Sequence, residues 1–159
     1  MPEKSARETA RKVIAENRKA RHDYHVLETW EAGVSLLGTE VKAIREGRVN
    51  LRDSYARIHN GEVWMMNVHI SPYSHRGSAD HAEIRERKLL LNRHEIRKMV
   101  GSVAEKGLTL VPLEMYFKNG RVKIALALAK GKQEHDKRET IRKREVDRET
   151  RAAVKSRSR

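Results

Sequence analysis

Two Asn-Gly steps, Asn60-Gly61 and Asn119-Gly120, constrain this chain more than any other feature. Each lies between two runs of alternating apolar residues, and Asn-Gly supplies the positive φ angles of a tight β-hairpin turn. Before the second step Val111, Leu113, Met115 and Phe117 alternate; after it come Val122, Ile124, Leu126 and Leu128. A side-chain period of two places each set on one face of a strand. Around the first step, Ser54, Ala56 and Ile58 lead to Trp64, Met66, Val68 and Ile70. Tyr24, Val26, Trp30 and Val34 predict a further long strand, bent near Ala32-Gly33, and Lys88 to Leu91 predict another.

Two short helices interrupt the strands. Val41 and Ile44 share one face of a helix expected to start at Thr39 and stop before Gly47. Ile96, Met99, Val100 and Val103 follow helical spacing, with Asn92 and Glu95 as a capping pair and Gly107 as the stop. Residues 72–83, rich in Ser, His and Gly, read as a loop. The pattern predicts a mainly β fold, a small closed antiparallel barrel of the oligonucleotide-binding (OB-fold) type. About three accessory helices and a basic C-terminal tail complete it. Closure removes the strand edges that would otherwise invite aggregation.

Charge divides the chain into a domain over residues 1–130, with a basic N-terminal segment, and a tail over 131–159. The net charge is +13, from 35 Lys and Arg against 22 Asp and Glu. Residues 1–22 carry +4 and residues 131–159 carry +5, leaving +4 for the much longer middle. Such an excess in a short chain points to a polyanionic partner, nucleic acid before membrane. No run approaches the ~20 apolar residues of a membrane span, and the basic segments lack the apolar face of an interfacial helix. Cysteine is absent, which excludes disulfides, thiolate metal sites and a cysteine nucleophile. No apolar segment of a signal peptide follows the charged N-terminus. The tail has few apolar residues, while Glu134 and Arg138, Glu139 and Lys143, and Asp147 and Arg151 are spaced as helical ion pairs. It is expected to be disordered alone and helical against a negative surface.

No catalytic or phosphate-loop motif is present, and the eight histidines show no metal-ligand spacing. Neither enzyme activity nor a cofactor is expected. Glu28, Glu31 and Glu40 could be imagined as a metal-dependent nuclease site, but read more simply as solvated carboxylates. Glu31 stands out because it adjoins the bend at Ala32-Gly33. A carboxylate there can accept hydrogen bonds from base edges or ribose hydroxyls, which Lys and Arg cannot do. Asn17-Arg18-Lys19-Ala20-Arg21-His22-Asp23-Tyr24 mixes cations with an aromatic at a strand entry, a combination that can neutralise phosphate and stack on a base. It is equally readable as a basic helix end. Asn92 is open between a helix cap and an RNA contact.

Three stretches taken together resemble the SsrA-binding protein (small protein B) family: Asn17 to Tyr24; Glu31-Ala32-Gly33 with Gly38-Thr39-Glu40-Val41-Lys42; and Ala129-Lys130-Gly131-Lys132 with His135-Asp136-Lys137-Arg138. Asp53-Ser54-Tyr55, Lys88 to Asn92 and Lys106 to Thr109 match as well, so the likeness spans about residues 16–145. The resemblance implies a bacterial cytoplasmic protein that binds the tRNA-like domain of transfer-messenger RNA. It further implies delivery of that RNA, with elongation factor Tu–GTP, to stalled ribosomes for peptide tagging. It assigns RNA contact to Asn17, Arg18, Lys19, Arg21, Tyr24, Glu31, Leu90 and Asn92. To Gly131, Lys132, His135, Asp136, Lys137 and Arg138 it assigns a role in the ribosomal decoding centre, with the tail in the empty messenger channel. Gln133 stands where the family usually has another Lys. Competing readings are a general RNA chaperone, the nuclease, and a nuclear basic protein suggested by Arg142-Lys143-Arg144.

Overall fold

A computed structural model describes residues 11–74, 81–104 and 107–157, with only the backbone described for 134–136 and 154–157. The strands are β1 (Arg11–Glu16), β2 (Tyr24–Val34), β3 (Val49–Asn50), β4 (Tyr55–His59), β5 (Glu62–Met66), β6 (His69–Ile70), β7 (Arg87–Leu90), β8 (Leu108–Lys118) and β9 (Arg121–Gly131). The helices are α1 (Arg18–Asp23), α2 (Gly38–Arg45), α3 (Arg93–Val103) and α4 (Glu134–Arg157).

Both Asn-Gly steps make the expected hairpins. Asn60 and Gly61 have φ of 50° and 73°, and Asn119 and Gly120 have 52° and 75°. The two positive angles match the right-handed twist of the flanking strands. Antiparallel pairing then runs β8-β4-β5-β7-β2-β9 and returns from β9 to β8, so six strands form a hydrogen-bonded ring. The far edge of β8 is shared: β4 meets it at Leu110 and β1 along Glu114 to Lys118. β2 passes from β9 to β7 at Gly33, which is in register with both Lys123 and Leu90. That handover is the bend expected near Ala32-Gly33. A Cβ at Gly33 would stand 3.3 Å from Leu90 Cβ, a tight contact that glycine avoids at the crossing.

Trp30, Val63, Met65, Leu89, Ile124 and Leu126 are buried in the main core. Each such side chain contributes on the order of 1.5–3 kcal/mol by leaving water. Two period-two readings change in the structure. In β8, Pro112 pairs with Leu126 and Glu114 with Ala125, so Leu113 is an extra residue. The bulge reverses the alternation. Val111 and Leu113 pack with Ala20, Ala127 and Ala129 in a second cluster, whereas Met115 stays in the main core. In β5, Val63 and Met65 are buried, whereas Trp64 and Met66 are only half-buried. Val68 and Ile70 are again buried, because Asn67 at φ 60° breaks the strand and resets its parity. Sequence alternation had carried one face across that break.

Glu40 also departs from its sequence reading. It is fully buried rather than solvated, and its carboxylate accepts from the guanidiniums of Arg85 and Arg87 and, at 2.8 Å, from the Leu37 N–H. Arg87 is equally buried and donates onward to the carbonyls of Val68 (2.7 Å) and Glu83 (3.2 Å). Burial pushes the Glu40 carboxyl up, but these donors outweigh it and hold the group below the usual glutamate range. α2 begins at Gly38, one residue before expectation, and α3 caps as expected, with Glu95 accepting from the Asn92 N–H at 3.2 Å. In α3, Ile96, Met99 and Val103 pack on the core, but Val100 is left exposed. Of the loop expected over 72–83, residues 75–80 lie outside the described residues, as do residues 1–10 of the basic N-terminal segment.

Candidate nucleic-acid interface

Asn17 sets the geometry at one end of β2. Its Oδ1 accepts from the Ala20 N–H at 3.1 Å and caps α1. Its Nδ2 donates to the carbonyls of Leu51 (3.1 Å) and Pro112 (2.9 Å), and its main-chain N–H donates to Leu113 O at 2.7 Å. At 3% exposure it presents almost nothing outward. It positions α1 beside the β8 bulge, and the outward chemistry falls to its neighbours. Arg18 is the most open of the three α1 cations Arg18, Lys19 and Arg21, 3.9 Å from Glu16. Lys19 is paired with Asp53, whose φ of 61° holds it in a left-handed turn. Arg21 lies 3.8 Å from Glu114. Lys19, Tyr24, Asp53, Tyr55 and Thr109 line a groove of about 300 Å³. Tyr24 packs on the second apolar cluster at its base.

The root of the tail meets this same end. Gly131 pairs with Tyr24, and the Lys132 N–H donates to Asp23 O at 2.8 Å. Lys132 Nζ reaches Arg21 O at 3.4 Å and Thr140 Oγ1 at 2.9 Å. Lys137 Nζ lies 3.5 Å from Asp23. The hydrogen bond from His22 holds the Asp23 carboxyl below its usual range; burial opposes it, and the Lys137 ammonium adds to the lowering. Gly131, Lys132 and Lys137 are thus brought onto α1 from far along the chain. Arg138 is exposed one residue beyond, and the side chains of His135 and Asp136 lie outside the described residues. From residue 141 to 153 every residue of α4 is exposed.

Glu31, Leu90 and Asn92 sit toward the other end of β2. Nine residue steps separate Tyr24 from Gly33, roughly 30 Å at strand rise. Glu31 accepts from the Tyr116 hydroxyl at 2.6 Å and from Lys118 Nζ at 3.3 Å on both oxygens. The Tyr116 hydrogen bond, followed by the charges of Lys118 and Lys123, keeps its carboxyl below the usual range despite partial burial. Burial, and then Glu31 itself, push the Tyr116 hydroxyl up to about 12. The Arg11 guanidinium lies 4.8 Å over the Tyr116 ring and 2.7 Å from Glu114. Glu114 in turn faces Arg21, so one polar chain runs from Glu31 to α1. Leu90 is half-exposed against Gly33, in a groove of about 500 Å³ that also includes Leu36, Val41, Arg121 and Lys123. Asn92 is exposed at the N-terminus of α3.

Sequence reading missed Tyr116, Arg11 and Glu114. Tyr116 and Glu31 are 85 residues apart, and no local spacing signals such a pair. The three carboxylates of the nuclease reading do not converge. Glu28 pairs with Lys98 at 2.8 Å, Glu31 with Tyr116 and Lys118, and Glu40 with two arginines inside the protein. Among the described residues no group of three or more His, Asp or Glu could hold a metal ion, and no helix is long and apolar enough to cross a membrane.

These features define a small, basic, mainly β protein with cations gathered at both ends of one long strand and a charged C-terminal helix. The chain belongs to the SmpB protein family, whose model matches residues 14–156. It is 60% identical over 147 residues to the SsrA-binding protein of Thermosynechococcus vestitus, covering 92% of this chain and 97% of the relative. It is 58% identical over 146 residues to that of Carboxydothermus hydrogenoformans, covering 92% and 98%. A solved structure of tmRNA–SmpB, described at the centre of the bacterial ribosome, superposes with a TM-score of 0.65 at 48% identity. That match covers 80% of this chain and 94% of the other.

Proposed function

We propose that this chain binds SsrA RNA, the transfer-messenger RNA, through the tRNA-like domain and brings it to stalled ribosomes for trans-translation, without catalysing a reaction itself. Close identity to SsrA-binding proteins along nearly their whole length carries this reading. The chemistry of the outer surface supports it. Arg18, Lys19 and Arg21 can neutralise phosphates, Tyr24 can stack, and Glu31 can accept hydrogen bonds from bases or riboses. The six-stranded ring is read as a closed barrel of oligonucleotide-binding type within residues 1–130, with Leu90 and Asn92 on the same RNA surface. Asn17 serves by anchoring α1.

Residues 131–159 form a second functional unit. In this reading Gly131, Lys132, His135, Asp136, Lys137 and Arg138 act at the ribosomal decoding centre and the rest of α4 lies in the empty messenger channel. A helix with so little apolar surface gains most of its stability from a negative partner, so it is disordered in the free protein and ordered on the ribosome. Elongation factor Tu–GTP accompanies the complex, and the protein acts in the bacterial cytoplasm.

The test compares binding to the tRNA-like domain with binding to an elongator tRNA at low and near-physiological salt. Phosphate contacts weaken steeply as salt rises. Retention of the tRNA-like domain after tRNA has dissociated is the expected result. Parallel loss of both would make a general RNA chaperone the better reading.

A further inference from the structure

We propose that Tyr116 is a positioning residue for RNA recognition: its hydroxyl, fixed inside the sheet, holds the Glu31 carboxylate so that its open edge faces a hydrogen-bond donor of the bound RNA. The inference rests on the reading of Glu31 as an RNA contact.

The geometry is that of a braced acceptor. Tyr116 is 2% exposed, so its phenol is held by packing, and the Arg11 guanidinium lies 4.8 Å over its ring. Its hydroxyl donates to Glu31 Oε2 at 2.6 Å, while Lys118 Nζ sits 3.3 Å from both oxygens. The Glu31 side chain is 39% exposed; Oε2 accepts from Tyr116 and Lys118 and Oε1 from Lys118 alone, so Oε1 keeps an acceptor site for an outside donor. A glutamate on a strand otherwise samples many rotamers, and ordering one on binding costs affinity. Here that cost is met when the protein folds.

Protonation states agree with the arrangement. A hydroxyl pushed up to about 12 stays a donor through the biological range, and Glu31 stays ionised. An ionised carboxylate only accepts. The RNA group that fits is therefore a single donor: an N–H of an unpaired base or a ribose 2′-hydroxyl. Lys118 and Lys123 stand beside it for the neighbouring phosphate. Arg11 and Glu114 complete the charged surroundings and tie the brace to Arg21.

The experiment is a double-mutant cycle on affinity for the tRNA-like domain with Tyr116→Phe, Glu31→Ala and the pair. Tyr116→Phe keeps the ring and its packing. It should weaken binding about tenfold, the scale of one charge-assisted hydrogen bond. Glu31→Ala should weaken it at least as much, and the pair no more than Glu31→Ala alone. Carboxyl NMR titration should show the Glu31 pKa rising toward its ordinary value in Tyr116→Phe while the backbone amide shifts of the surrounding strands stay those of the wild type, a combination that general loss of packing would not produce. Wild-type affinity for Tyr116→Phe, with Glu31→Ala weakened, overturns the inference and leaves the Glu31 reading intact. Multiplying losses in the double variant also overturn it. Wild-type affinity for Glu31→Ala removes the Glu31 reading and the inference together.

Discussion

Glu40 in the ring and Lys143 in α4 show how differently the two regions use charge. Glu40 has no exposed surface and two guanidiniums against it, so its partners are part of the fold. Lys143 lies in a stretch of helix whose every residue is exposed. A buried ion with an internal partner makes folding sensitive to its loss. An exposed cation leaves the fold nearly indifferent and acts on whatever polyanion approaches. The ring is therefore held by its own contacts, and residues 141–153 leave their charges open to an approaching molecule. The root of the tail is where the two meet, at Asp23, Lys132 and Lys137.

The sharpest division comes from Lys137→Ala with Arg138→Ala. Peptide tagging in a reconstituted translation system should be abolished, while affinity for the tRNA-like domain changes less than about twofold, since the proposed division gives these two cations to the ribosome and not to the tRNA-like domain. Equal loss of both activities would break the comparison.

Next in size is Glu40→Ala, which leaves Arg87 buried without its carboxylate. Urea unfolding should show a loss of about 3–5 kcal/mol. The wild-type protein carries the same dependence in its pH profile. The folded Glu40 carboxyl lies below its ordinary value. Its stabilisation is complete above about pH 4.3 and is lost as pH falls through the lower folded value. Glu31 and Asp23 act in the same direction. Thermal melting should be flat near neutrality and fall with acid, and Glu40→Ala should flatten that fall.

Asn17→Ala should cost about 2 kcal/mol, by removing a helix cap and the donors to Leu51 and Pro112. Because the residue holds α1 rather than the RNA, weakened RNA binding should follow unfolding of α1, read by amide exchange. Loss of affinity with α1 fully protected would make Asn17 a direct contact instead. The smallest effect belongs to Glu139→Lys, which removes one helical charge pairing worth about 0.2–0.5 kcal/mol. It should lower the tail helicity that trifluoroethanol induces, read by circular dichroism, and leave the ring's unfolding midpoint in buffer unchanged.

Hairpin turns, long strands, both short helices, the helix cap at Asn92 and the division of charge were legible in the sequence. So were the cations of α1. Each depends on local rules: the φ preferences of Asn-Gly, periods of two and 3.6, capping pairs and the density of Lys and Arg. The face of a strand was less secure. One extra residue at Leu113 and one left-handed residue at Asn67 reversed the alternation, and neither leaves a mark in hydrophobic spacing.

Only tertiary structure decided which charge meets which. Nothing near Glu40 in sequence marks it as buried, because Arg87 lies 47 residues away. Tyr116 reaches Glu31 across 85 residues, and Lys132 reaches Arg21 across 111. Propensity and periodicity act over a few residues and survive in any compact arrangement. The neutralisation of a carboxylate depends on desolvation and on which distant strand is paired beside it. For this chain the sequence determined the elements and the kind of partner, and the closing of six strands into a ring determined which side chains remain outside to meet it.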